Sequence, residues 1–231
     1  MPKTFAPRYL VPNAASAANL ICGFCAMLAA ARGAFEIAVY LLLAAVLLDL
    51  TDGRLARALN ATSKFGQEVD SFCDALSFCA APALLVYLAV LQPLGFMGGA
   101  VAVVYLLAGV FRLARFNLTA DVHEKASRTM GVPTPIGAGY LMMLALMRAE
   151  IPAPAGAAVV LVIAALMLSR WQLPELNGKS VVSVMLLVGL INYLAVVWRP
   201  GWPTVIWWNL WNVLIVLAAR WRDRRAPLPA R

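Results

Sequence analysis

Five of the eleven acidic residues in this 231-residue chain, Asp49, Asp52, Glu68, Asp70 and Asp74, fall within one short stretch. Asp49 and Asp52 are three apart and Asp70 and Asp74 four apart, so on helices each pair shares a face. Glu68 points elsewhere and reads as a solvated acid at a helix start. Four carboxylates converging on a small volume repel one another unless cations neutralise them. With no His or Cys among them the donors are hard oxygens, which favour Mg²⁺ or Mn²⁺ over zinc or copper. Two such ions about 3.5–4 Å apart can clamp a diphosphate while one phosphorus is attacked. Gly53 removes a side chain beside Asp52, Gly66 lets backbone approach a ligand, Arg57 offers a planar fork to phosphate oxygens and Ser63 adds a hydroxyl. The bland alternative is a set of ordinary ion pairs with Arg54, Arg57 and Lys64.

The elements that must carry these residues are membrane helices. The chain is 63% hydrophobic and 13% charged, against about 25% charged in soluble domains. Stretches of about 20 apolar residues give eight candidate spans, near 13–31, 36–59, 66–92, 96–117, 133–149, 153–169, 180–198 and 203–220. The fold class is therefore all-α, a polytopic membrane helix bundle, with 1–12 as an N-terminal segment and 221–231 as a basic tail. With eight spans, all but Arg32, Arg148 and Arg199 of the 19 Lys and Arg residues fall on one side. That asymmetry predicts cytoplasmic termini and a cell-membrane location. Asp49 and Asp52 then descend toward the cytoplasm on span two and Asp70 and Asp74 climb back on span three. At about 1.5 Å per residue the two pairs meet at similar heights.

The remaining features read as structural. Cys22, Cys25, Cys73 and Cys79 lie in apolar runs and are expected to be small buried residues rather than ligands or disulfides. No removable signal peptide is expected. Trp198, Trp202, Trp207, Trp208 and Trp211 form an aromatic belt suited to interfacial anchoring. His123, the single histidine, lies in a polar loop, and Pro133 and Pro135 shape the entry to span five.

Written out, Asp49-x2-Asp52-Gly53-x2-Ala56-Arg57-x8-Gly66-x3-Asp70-x3-Asp74 resembles the signature of the CDP-alcohol phosphatidyltransferases at every fixed position and gap. Further segments are similar to one branch, the membrane-embedded phosphatidylserine synthases. They are the run from Pro12 to Phe24 with Asn13 and Asn19, Arg112-Leu-Ala-Arg115-Phe-Asn117, Gly131-Val-Pro133-Thr-Pro135, and Asp70 to Pro82, where Cys79 stands in place of an expected Gly.

The resemblance implies a six-helix catalytic core and transfer of a phosphatidyl group from CDP-diacylglycerol to serine, releasing CMP. It makes Asp49, Asp52, Asp70 and Asp74 ligands of Mg²⁺ or Mn²⁺, two ions per site, with Asp74 also the general base. It gives the CDP-lipid to Gly53, Ala56, Arg57, Ser63, Gly66, Asn13 and Asn19, and the acceptor or a lipid phosphate to Arg112, Arg115 and Asn117. It also implies a homodimer, and a nucleic-acid partner is not expected. Two rivals stay open: a sister transferase acting on another alcohol such as glycerol 3-phosphate, and a divalent-cation transporter. Transport would favour acids near the midplane on broken helices, whereas these crowd one end.

Overall fold

In hydrocarbon no water serves a backbone N–H or C=O, so a chain this apolar must close its hydrogen bonds within each segment. The computed structural model describes residues 7–59, 63–119, 131–170, 191, 194–195 and 197–225, and among them there are helices and no strand. Helix α1 (Pro7–Ala31) turns at Arg32 and Gly33 into α2 (Phe35–Ala58). A continuous rod, Lys64–Leu94, follows. It comprises α3 (Lys64–Asp74), a π-helical segment (Ala75–Ala80), α4 (Ala81–Val86), a second π-helical segment (Tyr87–Leu91) and a closing 3₁₀ turn (Gln92–Leu94). Then come α5 (Phe96–Thr119), α6 (Thr134–Leu146), α7 (Ala153–Leu168) and α8 (Trp202–Arg225).

Among the described residues three helices, Asn13–Ala31, Lys64–Leu94 and Phe96–Leu118, are long and apolar enough to cross a membrane. Helices α6 and α7 are apolar but shorter. Most of the expected span 180–198 and the loop holding His123 lie outside the described residues. Expected span five, 133–149, ends early: Met147 leaves helical geometry at φ −94°, ψ 17°, and the Glu150 N–H closes a turn onto its carbonyl. At 13 residues α6 is about 20 Å long, too short for a hydrocarbon core of about 30 Å. It is buried along nearly its whole length, from Thr134 to Ala145, and forms the axis of the bundle.

Two apolar clusters meet on that axis. One joins α1, α2 and the rod to α6 through Ala26, Leu42, Phe78, Leu85 and Met142. The other joins the rod to α5, α6 and α7 through Val86, Tyr105, Leu141, Val160 and Met167. Ala26, Ala30, Ala38 and Ala45 are buried between α1 and α2, where small side chains let helices approach closely. Ile21, Phe24, Val103, Phe111 and Val162 remain exposed, as suits faces solvated by lipid.

Polar contacts fix the two ends. At one, Arg148 after α6 bonds Glu36 at the start of α2 at 2.9 Å and lies over the Phe35 ring. At the other, the Val132 N–H bonds the Leu166 carbonyl at the end of α7 at 3.2 Å. Gly131 precedes it at φ +71°, where any side chain would run into the Met167 carbonyl; glycine meets both demands. Pro133 then caps α6.

Two sequence expectations change in detail. Trp208 does not anchor at an interface: it is buried against Met143 and Met147, with its ring edge-on to Tyr140. Trp207 is exposed and packs edge-to-face with Trp211 one turn along, which is half-buried. Cys79, in place of the expected glycine, is fully buried facing Gly109 of α5, so the space is made on the neighbouring helix. None of the four cysteines is in a disulfide.

The rod contains Pro82, which lacks the N–H that would serve the Phe78 carbonyl in an α-helix. The Tyr105 hydroxyl of α5 donates to that carbonyl at 3.0 Å, fully buried. Tyr105→Phe removes this donor and keeps the ring. It should lower stability in detergent by about 1–3 kcal/mol, read as a reduced thermal midpoint; an unchanged midpoint would show that the carbonyl is served elsewhere.

Candidate active site

The carboxylates gather at the end of the bundle opposite the Glu36–Arg148 pair. Asp49 lies on α2 and Asp70 and Asp74 on α3, and each offers a carboxylate oxygen within 4.8 Å of the others. All three side chains are partly buried. The helical spacing of four puts Asp70 and Asp74 on one face of α3, and antiparallel pairing brings Asp49 to their height. Asp52 lies one turn along α2 from Asp49, in the stretch 52–58 whose side chains are outside the described residues, as are those of Gly53, Ala56 and Arg57. Glu68 is exposed. Three converging carboxylates with no nitrogen or sulfur donor fit a hard divalent cation, since oxygen ligands and negative charge are what such an ion requires.

Beside the cluster stands the start of α3. Ser63 caps it in extended geometry, its Oγ accepting from the Gly66 N–H at 3.0 Å. The hydroxyl hydrogen remains for a ligand. A Cβ added at Gly66 would lie 3.2 Å from Ser63 Oγ and 3.7 Å from Asn13 Oδ1. Asn13, Ser63 and Gly66 are therefore neighbours at a helix N-terminus, where free N–H groups and the helix dipole favour anions. Asn19, two turns along α1, is fully buried, with Nδ2 3.5 Å from Asp74 Oδ1.

The polar residues of α5 divide. Arg115 donates to the Leu168 carbonyl at 3.1 Å and to those of Met167 and Ser169 at 3.3 Å, closing the end of α7. Cations at a helix C-terminus satisfy carbonyls that have no partner within the helix. Asn117 exchanges hydrogen bonds with Ser71 at 2.9 and 3.2 Å, pinning α5 to α3 one residue past Asp70. Arg112 is only 7% exposed, and its Nε has no acceptor among the described residues. Ser71 and Tyr105 carry no weight in the sequence signature. The sign that marks them is a hydroxyl in an apolar helix, which must find a partner.

A model of the CDP-alcohol phosphatidyltransferase family matches residues 9–171. A CDP-diacylglycerol–serine O-phosphatidyltransferase of Helicobacter pylori is 37% identical over 61% of this chain and 59% of its own length. One of Bacillus subtilis is 34% identical over 58% of this chain and 74% of its own. An archaetidylserine synthase of Methanothermobacter thermautotrophicus is 29% identical over 74% of this chain and 72% of its own. The chain thus spans under two thirds of the Helicobacter relative. The family match runs from the start of α1 to the end of α7 and takes in all the converging carboxylates, so the chain belongs to the CDP-alcohol phosphatidyltransferase family.

Proposed function

We propose that this membrane protein is a phosphatidylserine synthase, moving the phosphatidyl group of CDP-diacylglycerol to the hydroxyl of serine and releasing CMP. The convergence of Asp49, Asp70 and Asp74 within the family signature carries this reading. The names of its relatives supply the acceptor. The serine oxygen forms a bond to the phosphorus that bears diacylglycerol. The bond from that phosphorus to CMP breaks, CMP keeps the electron pair, and the hydroxyl proton passes to Asp74. Asp49, Asp52, Asp70 and Asp74 would hold Mg²⁺ or Mn²⁺, two ions per site, whose charge offsets that of the diphosphate and the leaving CMP.

Asn13, Ser63 and Gly66, with Gly53, Ala56 and Arg57 on the facing stretch of α2, hold the nucleotide diphosphate. Their support is the cradle at the start of α3. The asymmetry of the basic residues supports a cytoplasmic side for this end of the bundle and both termini, and the cell membrane is the proposed location. Two copies form the working unit, as the resemblance implies.

Arg112 binds the serine carboxylate. Arg112 is nearly sealed from solvent and its Nε has no acceptor among the described residues, which leaves that donor for an anion. Its neighbour Arg115 is already committed to the end of α7.

Purified protein with Mg²⁺ or Mn²⁺ should release CMP from CDP-diacylglycerol only when serine is added, and a chelator should stop it. Equal release with glycerol 3-phosphate or inositol would remove the serine assignment, and ion flux without CMP release would make the protein a transporter. Asp74→Asn should lower turnover by about 10²–10⁴-fold while the thermal midpoint is kept; near-normal turnover would remove Asp74 as the base. Arg112→Gln should raise the KM for serine about tenfold or more, the factor that about 1.4 kcal/mol of lost binding produces. A rise confined to the KM for CDP-diacylglycerol would reassign Arg112 to the lipid phosphate.

A further inference from the structure

We infer that Asn19 is a positioning residue for Asp74, orienting that carboxylate from outside the cluster. The inference rests on the reading of Asp74 as a metal ligand and base. Asn19 is 0% exposed in an otherwise apolar stretch of α1. A leucine of similar size would fill that space without an amide to satisfy, so the amide has to be explained by what it touches.

Its Nδ2 faces Asp74 Oδ1 at 3.5 Å, a long hydrogen bond of the kind that tightens when a site is filled. Its Oδ1 is buried with no donor among the described residues. What the amide contributes is therefore its N–H toward Asp74.

The backbone holds the pair together. The Asn19 carbonyl accepts from Ser77 Oγ at 3.1 Å, and Ser77 is fully buried in the π-helical segment that begins immediately after Asp74. One turn further along α1, Gly23 leaves room for this contact: a Cβ there would lie 2.9 Å from Ser77 Cα. Helix α1 thus meets the rod at backbone distance and grips it on both sides of the junction, once through the Asp74 side chain and once through Ser77. The amide meets one oxygen of the Asp74 carboxylate and so sets the direction in which the group points. Partners of this kind around ligating carboxylates typically change metal affinity or activity by about 10–100-fold when removed.

The test uses the full-length protein with Asn19→Leu and Asn19→Ala, so that a variant that fails to fold leaves the other to decide. Mn²⁺ binding is titrated by the electron paramagnetic resonance signal of the free ion, and CMP release is measured at saturating Mn²⁺. Mn²⁺ affinity should fall about tenfold or more and kcat by about 10–100-fold, with the KM for CDP-diacylglycerol within about twofold of wild type. A lower thermal midpoint with unchanged Mn²⁺ affinity and kcat would make Asn19 a packing residue and overturn the inference. An effect confined to the KM for CDP-diacylglycerol would also overturn it, placing Asn19 at the nucleotide. Wild-type protein that binds Mn²⁺ yet releases no CMP with serine would sink the acceptor reading alone, and the Mn²⁺ titration would still decide Asn19.

Discussion

Mutual repulsion among Asp49, Asp70 and Asp74 is the constraint around which this bundle is organised. Three carboxylate oxygens within 4.8 Å of one another, at an effective dielectric of about 20, repel by about 3–4 kcal/mol per pair. A flexible site would relieve that by swinging the groups apart. Here they sit on helices that cannot separate. Asp49 rides on α2, which packs against α1 through buried alanines, while Asp70 and Asp74 share one face of α3. The bundle therefore holds a concentration of negative charge that a divalent cation and a cationic group can balance but that the protein does not relax.

Rigidity at this end comes mainly from polar ties, because apolar packing in lipid is not directional and gains little from the hydrophobic effect. Arg115 closes the end of α7 with three carbonyls. Asn117 and Ser71 lock α5 to α3, and Ser77 locks the rod to α1. The π-helical segment after Asp74 belongs to the same design. Such segments interrupt the regular α ladder and recur at functional sites. Here the interruption lies where Pro82 withholds a donor, and Tyr105 supplies one from the next helix. At the far end, among the described residues, the Glu36–Arg148 ion pair makes the corresponding tie.

Much of this was legible from the residues alone. The i, i+3 and i, i+4 spacing of the acids, together with antiparallel spans, predicted that Asp49, Asp70 and Asp74 would meet, and they do. Asp52, Gly53, Ala56 and Arg57 lie in a stretch whose side chains are outside the described residues, so the α2 half of the cradle rests on the signature. What spacing could not reveal was the use of residues with two plausible partners. Arg112 and Arg115 are chemically alike in sequence, and only the position of the α7 terminus shows that Arg115 is engaged there. Asn117 likewise has a partner, Ser71, that no local pattern marks. Hydropathy does not mark a helix end where a turn, rather than a change in composition, stops the helix, as at Met147. A tryptophan belt read by composition could not show that Trp208 faces inward, because neighbouring positions on a helix point in different directions.

The division of labour between the two arginines bears on how a lipid and a water-soluble alcohol meet. An arginine held by three backbone carbonyls stays fixed, so Arg115 sets where α5 stands relative to α7. Arg112, one turn deeper and nearly sealed from solvent, is held at a fixed place by that arrangement and faces the same end of the bundle as the acids. A zwitterionic acceptor suits such a field: its carboxylate is drawn to the guanidinium and its ammonium to the side of the carboxylates. Its hydroxyl is then carried between them, toward Asp74. A neutral polyol would gain neither attraction. The arrangement of charge thus supports the proposed amino-acid acceptor over a neutral polyol.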